Sequence, residues 1–195
     1  MTKKILMSLA VIVVILIGAS FFLPSKWHVR RSIVIAAAPE AIFPWVDNIR
    51  RWPDWTPWTE DLDPTMKRTF EGPEAGIGAK QSWQGTKMGN GTLTIIESSP
   101  PEKIVYDLNM DNGKFMAKGG FTFKPTTDGT EVTWFDSGEL PGDPVSKYFG
   151  LMMDSMIGSD FEKGLQKLKL KAEVTVANQQ AQPTPTAGAS AKTTP

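Results

Sequence analysis

From Ile5 to Leu23 the chain runs for 19 residues without a charged side chain, and this stretch restricts its organisation more than any other feature. At about 1.5 Å per residue, a helix of that length spans roughly 28 Å, close to the hydrocarbon thickness of a bilayer. The competing reading is a cleaved signal peptide, whose apolar region runs for about 7–15 residues before a small-x-small site. Ile17-Gly18-Ala19 is a poor version of that site, so the length favours a retained membrane anchor over residues 1–25. Lys3 and Lys4 precede the run and Lys26, Arg30 and Arg31 follow it. The positive-inside balance is therefore nearly even, and it is read here as a short cytoplasmic N-terminus with the domain on the extracytoplasmic side of a single-pass protein.

The opposite end differs in composition. Thr175–Pro195 has no aromatic residue, one charge and three prolines, too little apolar surface to offset the entropy of ordering. Residues 175–195 are expected to form a disordered low-complexity tail, leaving residues 26–174 as one domain of ordinary size.

Several chemistries are excluded by what the chain lacks. With no Cys and one His, it cannot build a disulfide framework, a thiol nucleophile or a Cys-ligated metal site. Nucleic acid is an unexpected partner, because 21 basic residues are matched by 21 acidic ones and no basic footprint is left to replace counterions. No P-loop or Gly-x-Ser-x-Gly elbow occurs. Asp107-x-Asn109-x-Asp111 begins like a calcium loop but has Asn112 at the sixth position and Lys118 at the twelfth, where Gly and Glu are required. No cofactor and no metal are expected.

Turn chemistry marks the middle of the chain as β structure. Asn112-Gly113 and Asp128-Gly129 are hairpin signals, and Gly89-Asn90-Gly91 reads as a third turn. Between them Leu93 and Ile95, then Ile104, Tyr106 and Leu108, then Phe121 and Phe123, then Val132 and Trp134 alternate at period two, each set sharing one face. Segments at Trp27–Ala36, Met66–Glu71 and Ala79–Gln84 can supply further strands, with Pro39–Arg51 as a short helical pair. From Pro144 to Lys171 the apolar positions Phe149, Met153, Ile157, Phe161, Leu165 and Leu168 fall 3 or 4 apart. That spacing predicts one long amphipathic helix. The expected fold is α+β: six or seven antiparallel strands in a curved sheet wrapped around a C-terminal helix.

Three stretches carry a family resemblance: Arg31–Ile35, Arg51-Trp52-Pro53-Asp54-Trp55-Thr56-Pro57-Trp58, and Met153–Leu165. They resemble the polyketide cyclase/dehydrase-like branch of the START (SRPBCC) superfamily over about residues 28 to 171. The resemblance implies a helix-grip domain around an apolar cavity, used by different members for lipids, sterols, hormones, polyketides or protein clients.

Residue by residue, no catalytic constellation is visible. His28 stands alone, and Asp154, Asp160 and Glu162 read as solvated or capping groups. Four of the seven Trp (Trp45, Trp52, Trp55 and Trp58) lie within 14 positions interrupted by Pro53 and Pro57, which suits a rigid loop over the end of the sheet as well as core packing. The Trp-rich loop nominates Trp58 at the cavity mouth, and strand alternation and the helical stripe nominate Trp83, Tyr106, Phe121, Trp134, Met153, Met156 and Phe161 as cavity-facing. The first functional reading is a membrane-tethered protein that binds an apolar or amphipathic, lipid-like small molecule between sheet and helix. The alternatives are a cyclase/dehydrase-type enzyme that uses acidic or hydroxyl groups in the cavity, or a binder of protein clients.

Overall fold

A computed structural model describes residues 2–181. Helix α1 (Thr2–Ser20) carries the apolar run, and a link of five residues leads into strand β1 (Lys26–Ile35). Helix α2 (Pro39–Asp47) opens with Pro in its first turn, where no intrahelical N–H bond is lost. A 3₁₀ segment, Ile49–Asp54, follows; the Asn48 side chain accepts the Arg50 N–H to begin it. Strands β2 (Lys67–Glu71), β3 (Lys80–Gly85), β4 (Gly89–Ser99), β5 (Lys103–Met110), β6 (Phe115–Thr126) and β7 (Gly129–Glu139) then succeed one another.

The sheet has seven strands in the order β1-β7-β6-β5-β4-β3-β2, and every pair is antiparallel. Hairpin connections account for all neighbours except β1, which returns to pair with β7. The expected alternation is met: Leu93, Ile95, Ile104, Tyr106, Phe121, Phe123, Val132 and Trp134 are all buried in one core. The register brings Tyr106 opposite Ile95, and Phe121 opposite both Ile104 and Trp134.

The terminal helix departs from expectation in two ways. It is broken into α3 (Pro144–Gly150) and α4 (Met153–Ala181), with Leu151 and Met152 as the turn between them. None of the residues of α3 is buried and its neighbours are α1 and Leu140, so little core packing offsets the helix penalty of Gly150. Phe149, counted in the apolar stripe, is exposed. At its other end α4 outruns the expected domain boundary, because Ala172 is fully buried and Val176 packs against the core, continuing the four-residue spacing from Leu168. Seven residues assigned to the tail are therefore helical, and the rest of that expected tail lies outside the described residues. A third difference is local: the β3–β4 turn is at Thr86–Met88, and Gly89, at φ 62°, opens β4 instead of forming the turn.

Two glycines let α4 seat closely. An added Cβ at Gly164 would lie 2.8 Å from the Trp134 ring, which stacks on Phe161 with centroids 4.0 Å apart and an interplanar angle of 3°. At Gly158 the notch admits the Arg31 guanidinium, which pairs with Asp154 at 2.8 Å and Glu162 at 2.6 Å, one turn to either side. Asp154, read as a solvated or capping group, and Glu162 thus hold α4 to β1. Ion pairs this exposed contribute orientation more than stability.

Candidate functional site

The strand register assigns one end of the sheet to the apolar helix α1. Lys26, the first residue of β1, lies opposite Glu139 at the end of β7. From there the pairs Ala117–Gly138, Met110–Phe115, Gly91–Met110 and Gly85–Gly89 carry the same end across β6, β5, β4 and β3. A cavity of about 240 Å³ lies toward this end. Leu108 and Met110 of β5, Gln81 and Trp83 of β3, Asp136 of β7 and Ile157 of α4 form its walls. Met66 and Arg68 enter from the start of β2, Met88 from the β3–β4 turn, and Trp52, Thr56 and Trp58 from the segment after α2. For scale, a cavity of about 150 Å³ admits benzene, and sites for drug-sized ligands begin near 300 Å³. The space suits a one- or two-ring molecule or a medium-length chain. Wider, more open depressions of about 510 and 620 Å³ lie on the sheet, the first among Thr, Asn and Lys side chains beside Trp83, the second among Thr94, Lys118, Ile96, Leu108 and Met116.

Asp63 fixes the loop that frames the mouth. Its carboxylate accepts from the Thr65 N–H and hydroxyl and from the Lys87 and Met88 N–H groups, at 2.6–3.0 Å. These hydrogen bonds, the Thr65 hydroxyl first among them, hold its pKa well below the usual carboxylate range. The loop from Thr59 is thereby tied to the β3–β4 turn, with Met66 and Met88 on the cavity.

Besides Thr56, three polar side chains sit in the mostly apolar wall: Arg68, Gln81 and Asp136. Arg68, with an 8% exposed side chain, donates from Nη2 to the Trp58 carbonyl oxygen at 2.7 Å. Its Nε has no hydrogen-bond partner among the described residues, and Glu60 Oε1 stands 3.9 Å away. Burial lowers the guanidinium pKa, against the opposing charge of Glu60. Gln81 is buried, and its Oε1 is equally without a partner. Such groups are uncommon in folded proteins, since a buried polar atom left unpaired costs about 1–3 kcal/mol.

Asp136 ends a chain of hydrogen bonds. The Trp134 indole N–H donates to the Tyr106 hydroxyl at 2.8 Å, and that hydroxyl donates to Asp136 Oδ1 at 2.6 Å. Burial pushes the Asp136 carboxyl up to about 7, although the Tyr106 hydrogen bond opposes the shift. Tyr106 itself is pushed well up, by burial first and by the neighbouring carboxylate next. The pair fits because residue 119 is glycine: a Cβ there would overlap Asp136 Oδ1 and meet the Tyr106 ring.

Of the residues nominated from sequence, Trp58 and Trp83 line the cavity. Tyr106, Phe121, Trp134 and Phe161 do not; they are fully buried and packed ring against ring behind it, with Tyr106 and Trp134 reaching the cavity only through Asp136. Met153 is half-buried against the core, and Met156 faces solvent because Ile157, one residue on, takes the inward position. Trp52 and Trp55 are buried, their indoles donating to the Val46 and Trp45 carbonyl oxygens. Arg68, Gln81 and Asp136 escaped the sequence reading. Each stands two residues from an apolar inward position (Met66, Trp83 and Trp134), and a polar side chain in that register was the available signal.

Residues 26–173 match the family described as polyketide cyclase / dehydrase and lipid transport. No curated protein matches the chain. Among solved structures, the di-domain ARO/CYC StfQ from the steffimycin biosynthetic pathway aligns with TM-score 0.61 at 14% identity, over 78% of this chain and 52% of StfQ. SA2116 from Staphylococcus aureus, a protein of unknown function, gives 0.60 at 12% identity over 78% and 96%. MLL2253 from Mesorhizobium loti gives 0.54 at 18% over 76% and 98%. Identities this low speak for a shared fold.

Proposed function

The chain belongs to the polyketide cyclase/dehydrase and lipid transport family, and from this we propose that it is a membrane-tethered binding protein for a small amphipathic molecule. Helix α1 is the tether, with the domain on the extracytoplasmic side. The observation that carries the proposal is a pair of buried polar atoms without a hydrogen-bond partner among the described residues, Arg68 Nε, with Glu60 Oε1 at 3.9 Å as its ionic neighbour, and Gln81 Oε1, on two residues that line a mostly apolar cavity. The first can only donate and the second only accept. A ligand hydroxyl or carboxylic acid can accept from the first or donate to the second, while its apolar body rests among Trp58, Trp83, Met110 and Ile157. Desolvation supplies the drive and the polar head fixes orientation.

A matched pair of probes tests this. The full chain in detergent should bind 2-naphthol roughly tenfold more tightly than naphthalene, the worth of about one hydrogen bond. Replacing Arg68 and Gln81 together by leucine should erase the difference. Equal binding of the two probes by the unaltered protein would refute the polar-head assignment, and binding of neither would refute the cavity as a binding site.

Asp136 favours a second reading, proton transfer on the bound molecule. A carboxyl titrating near neutrality in a dry wall is suited to general acid–base work, as a cyclase or dehydratase requires. Conversion of the molecule extracted with the protein, lost in Asp136→Asn while binding persists, would select this reading. Persistence of conversion in the variant would dismiss Asp136 as its acid or base.

A further inference from the structure

Six of the exposed large apolar side chains of the domain lie at the cavity end, whereas Ile77 of the β2–β3 connection and Leu170 and Val174 of α4 are dispersed elsewhere. Val145 and Phe149 of α3, with Leu151 and Met152 of the α3–α4 turn, are 40–79% exposed. Phe115 and Met116, 43% and 63% exposed, open β6 opposite Met110 and Asn109 at the cavity end of the sheet. A soluble surface has no use for six large apolar groups at one end. Their neighbour identifies what covers them. α3 packs on α1, where the Tyr148 hydroxyl donates to the Leu16 carbonyl oxygen at 2.9 Å. Leu16 lies four residues before the end of α1, about 6 Å of helix rise. An amphipathic helix resting in a bilayer surface sinks about 5–10 Å, the depth that this contact sets for α3 when α1 spans the membrane.

We propose that the α3–α4 junction and the tip of the β5–β6 hairpin are seated in the headgroup layer of the bilayer that α1 crosses, so that the cavity exchanges ligand with lipid and not with water. This rests on the reading of α1 as a membrane helix. The depth follows from the Tyr148–Leu16 contact and the lateral extent from the sheet register. The cavity wall at this end is Met88, Met110 and Ile157, deformable apolar groups suited to a port between lipid and pocket.

The absence of native cysteine makes the test direct. Single variants Met116→Cys, Val145→Cys and Met152→Cys, each labelled with an environment-sensitive nitrobenzoxadiazole, are reconstituted as the full chain in phosphatidylcholine/phosphatidylglycerol vesicles. Val13→Cys in α1 reports the tether, and Asp128→Cys in the β6–β7 turn, at the opposite end of the sheet, reports water. Nitroxide-bearing lipids should quench the three rim labels by half or more, as they do Val13→Cys, and iodide should quench only Asp128→Cys. Rim labels that behave like Asp128→Cys while Val13→Cys is quenched by lipid would overturn the seating and leave the tether standing. A Val13→Cys label insensitive to nitroxide lipid would overturn the tether, and the proposal with it. Rim labels shielded from both quenchers would assign the surface to a second copy of the chain and also overturn the proposal.

Discussion

Truncation of Phe121 to alanine should cost about 3–5 kcal/mol, a fall in Tm of roughly 6–20 °C for a domain of this size, while leaving ligand retention close to unchanged. Phe121 is fully buried, with ring centroids of Trp134, Trp55, Trp52, Tyr106 and Phe123 between 4.9 and 6.5 Å away. Removing its ring opens a void that those rigid neighbours cannot close. Trp83→Ala should behave in the opposite manner. Its indole lies on the cavity wall against the Gly91 backbone and is only partly buried, so probe affinity should fall severalfold with a smaller loss of stability. Thermal denaturation and 2-naphthol titration of the two variants side by side decide the matter. Loss of probe binding in Phe121→Ala, at little cost in stability, would mean that the cavity continues into the aromatic core.

Asp136→Asn should change how stability responds to pH. The folded-state pKa is raised from 3.8 to about 7, so between those values the native state holds a proton that the unfolded chain has released. Stability therefore falls as pH rises through that window, and it levels off above about 7. Three pK units correspond to about 4 kcal/mol at most. Asparagine keeps an acceptor for the Tyr106 hydroxyl but carries no charge. The variant should match the parent near pH 4 and exceed its stability progressively up to pH 7, in urea denaturation followed across that range. Parallel curves for parent and variant would show that Asp136 is not desolvated as described. Asp63 acts in the opposite sense, since its pKa is depressed. Its contribution is present above the ordinary carboxylate pKa and is lost as pH falls below it, so acid destabilisation from Asp63 lies outside the window of Asp136.

The sheet was legible because period-two alternation assigns faces without reference to distance: Leu93, Ile95, Tyr106, Phe121 and Trp134 all face inward as spaced. Distance is what the pattern lacks. Phe121 and Trp83 share the inward face, yet one meets other rings and the other an open space, because the depth of an inward position is set by the element that crosses above it. The break at Leu151–Met152 is invisible in the pattern for a related reason. Helical spacing continues through Phe149, but burial in the core decides whether a glycine-containing stretch stays one helix, and α3 has none of its residues buried. Val176 shows the converse, since burial extends α4 into a segment whose average composition argues for disorder. For the site, the Trp-rich loop nominated Trp58 and strand alternation nominated Trp83, both of which line the cavity, whereas Arg68, Gln81 and Asp136 needed a question put to each strand separately: which inward position holds a side chain able to hydrogen-bond.

The pairing of β1 with β7 has a mechanical meaning. The chain passes from α1 through residues 21–25 into the first residue of β1, so any pull on the N-terminal helix is applied along that strand at Lys26. Ten register pairs join β1 to β7 in antiparallel alignment, and a pull along the strand strains the ladder in shear, with its bonds resisting together instead of opening one after another. The Arg31 clamp on α4 lies on the same strand. A pull on the N-terminal helix is thus met by the whole length of the β1–β7 ladder at once.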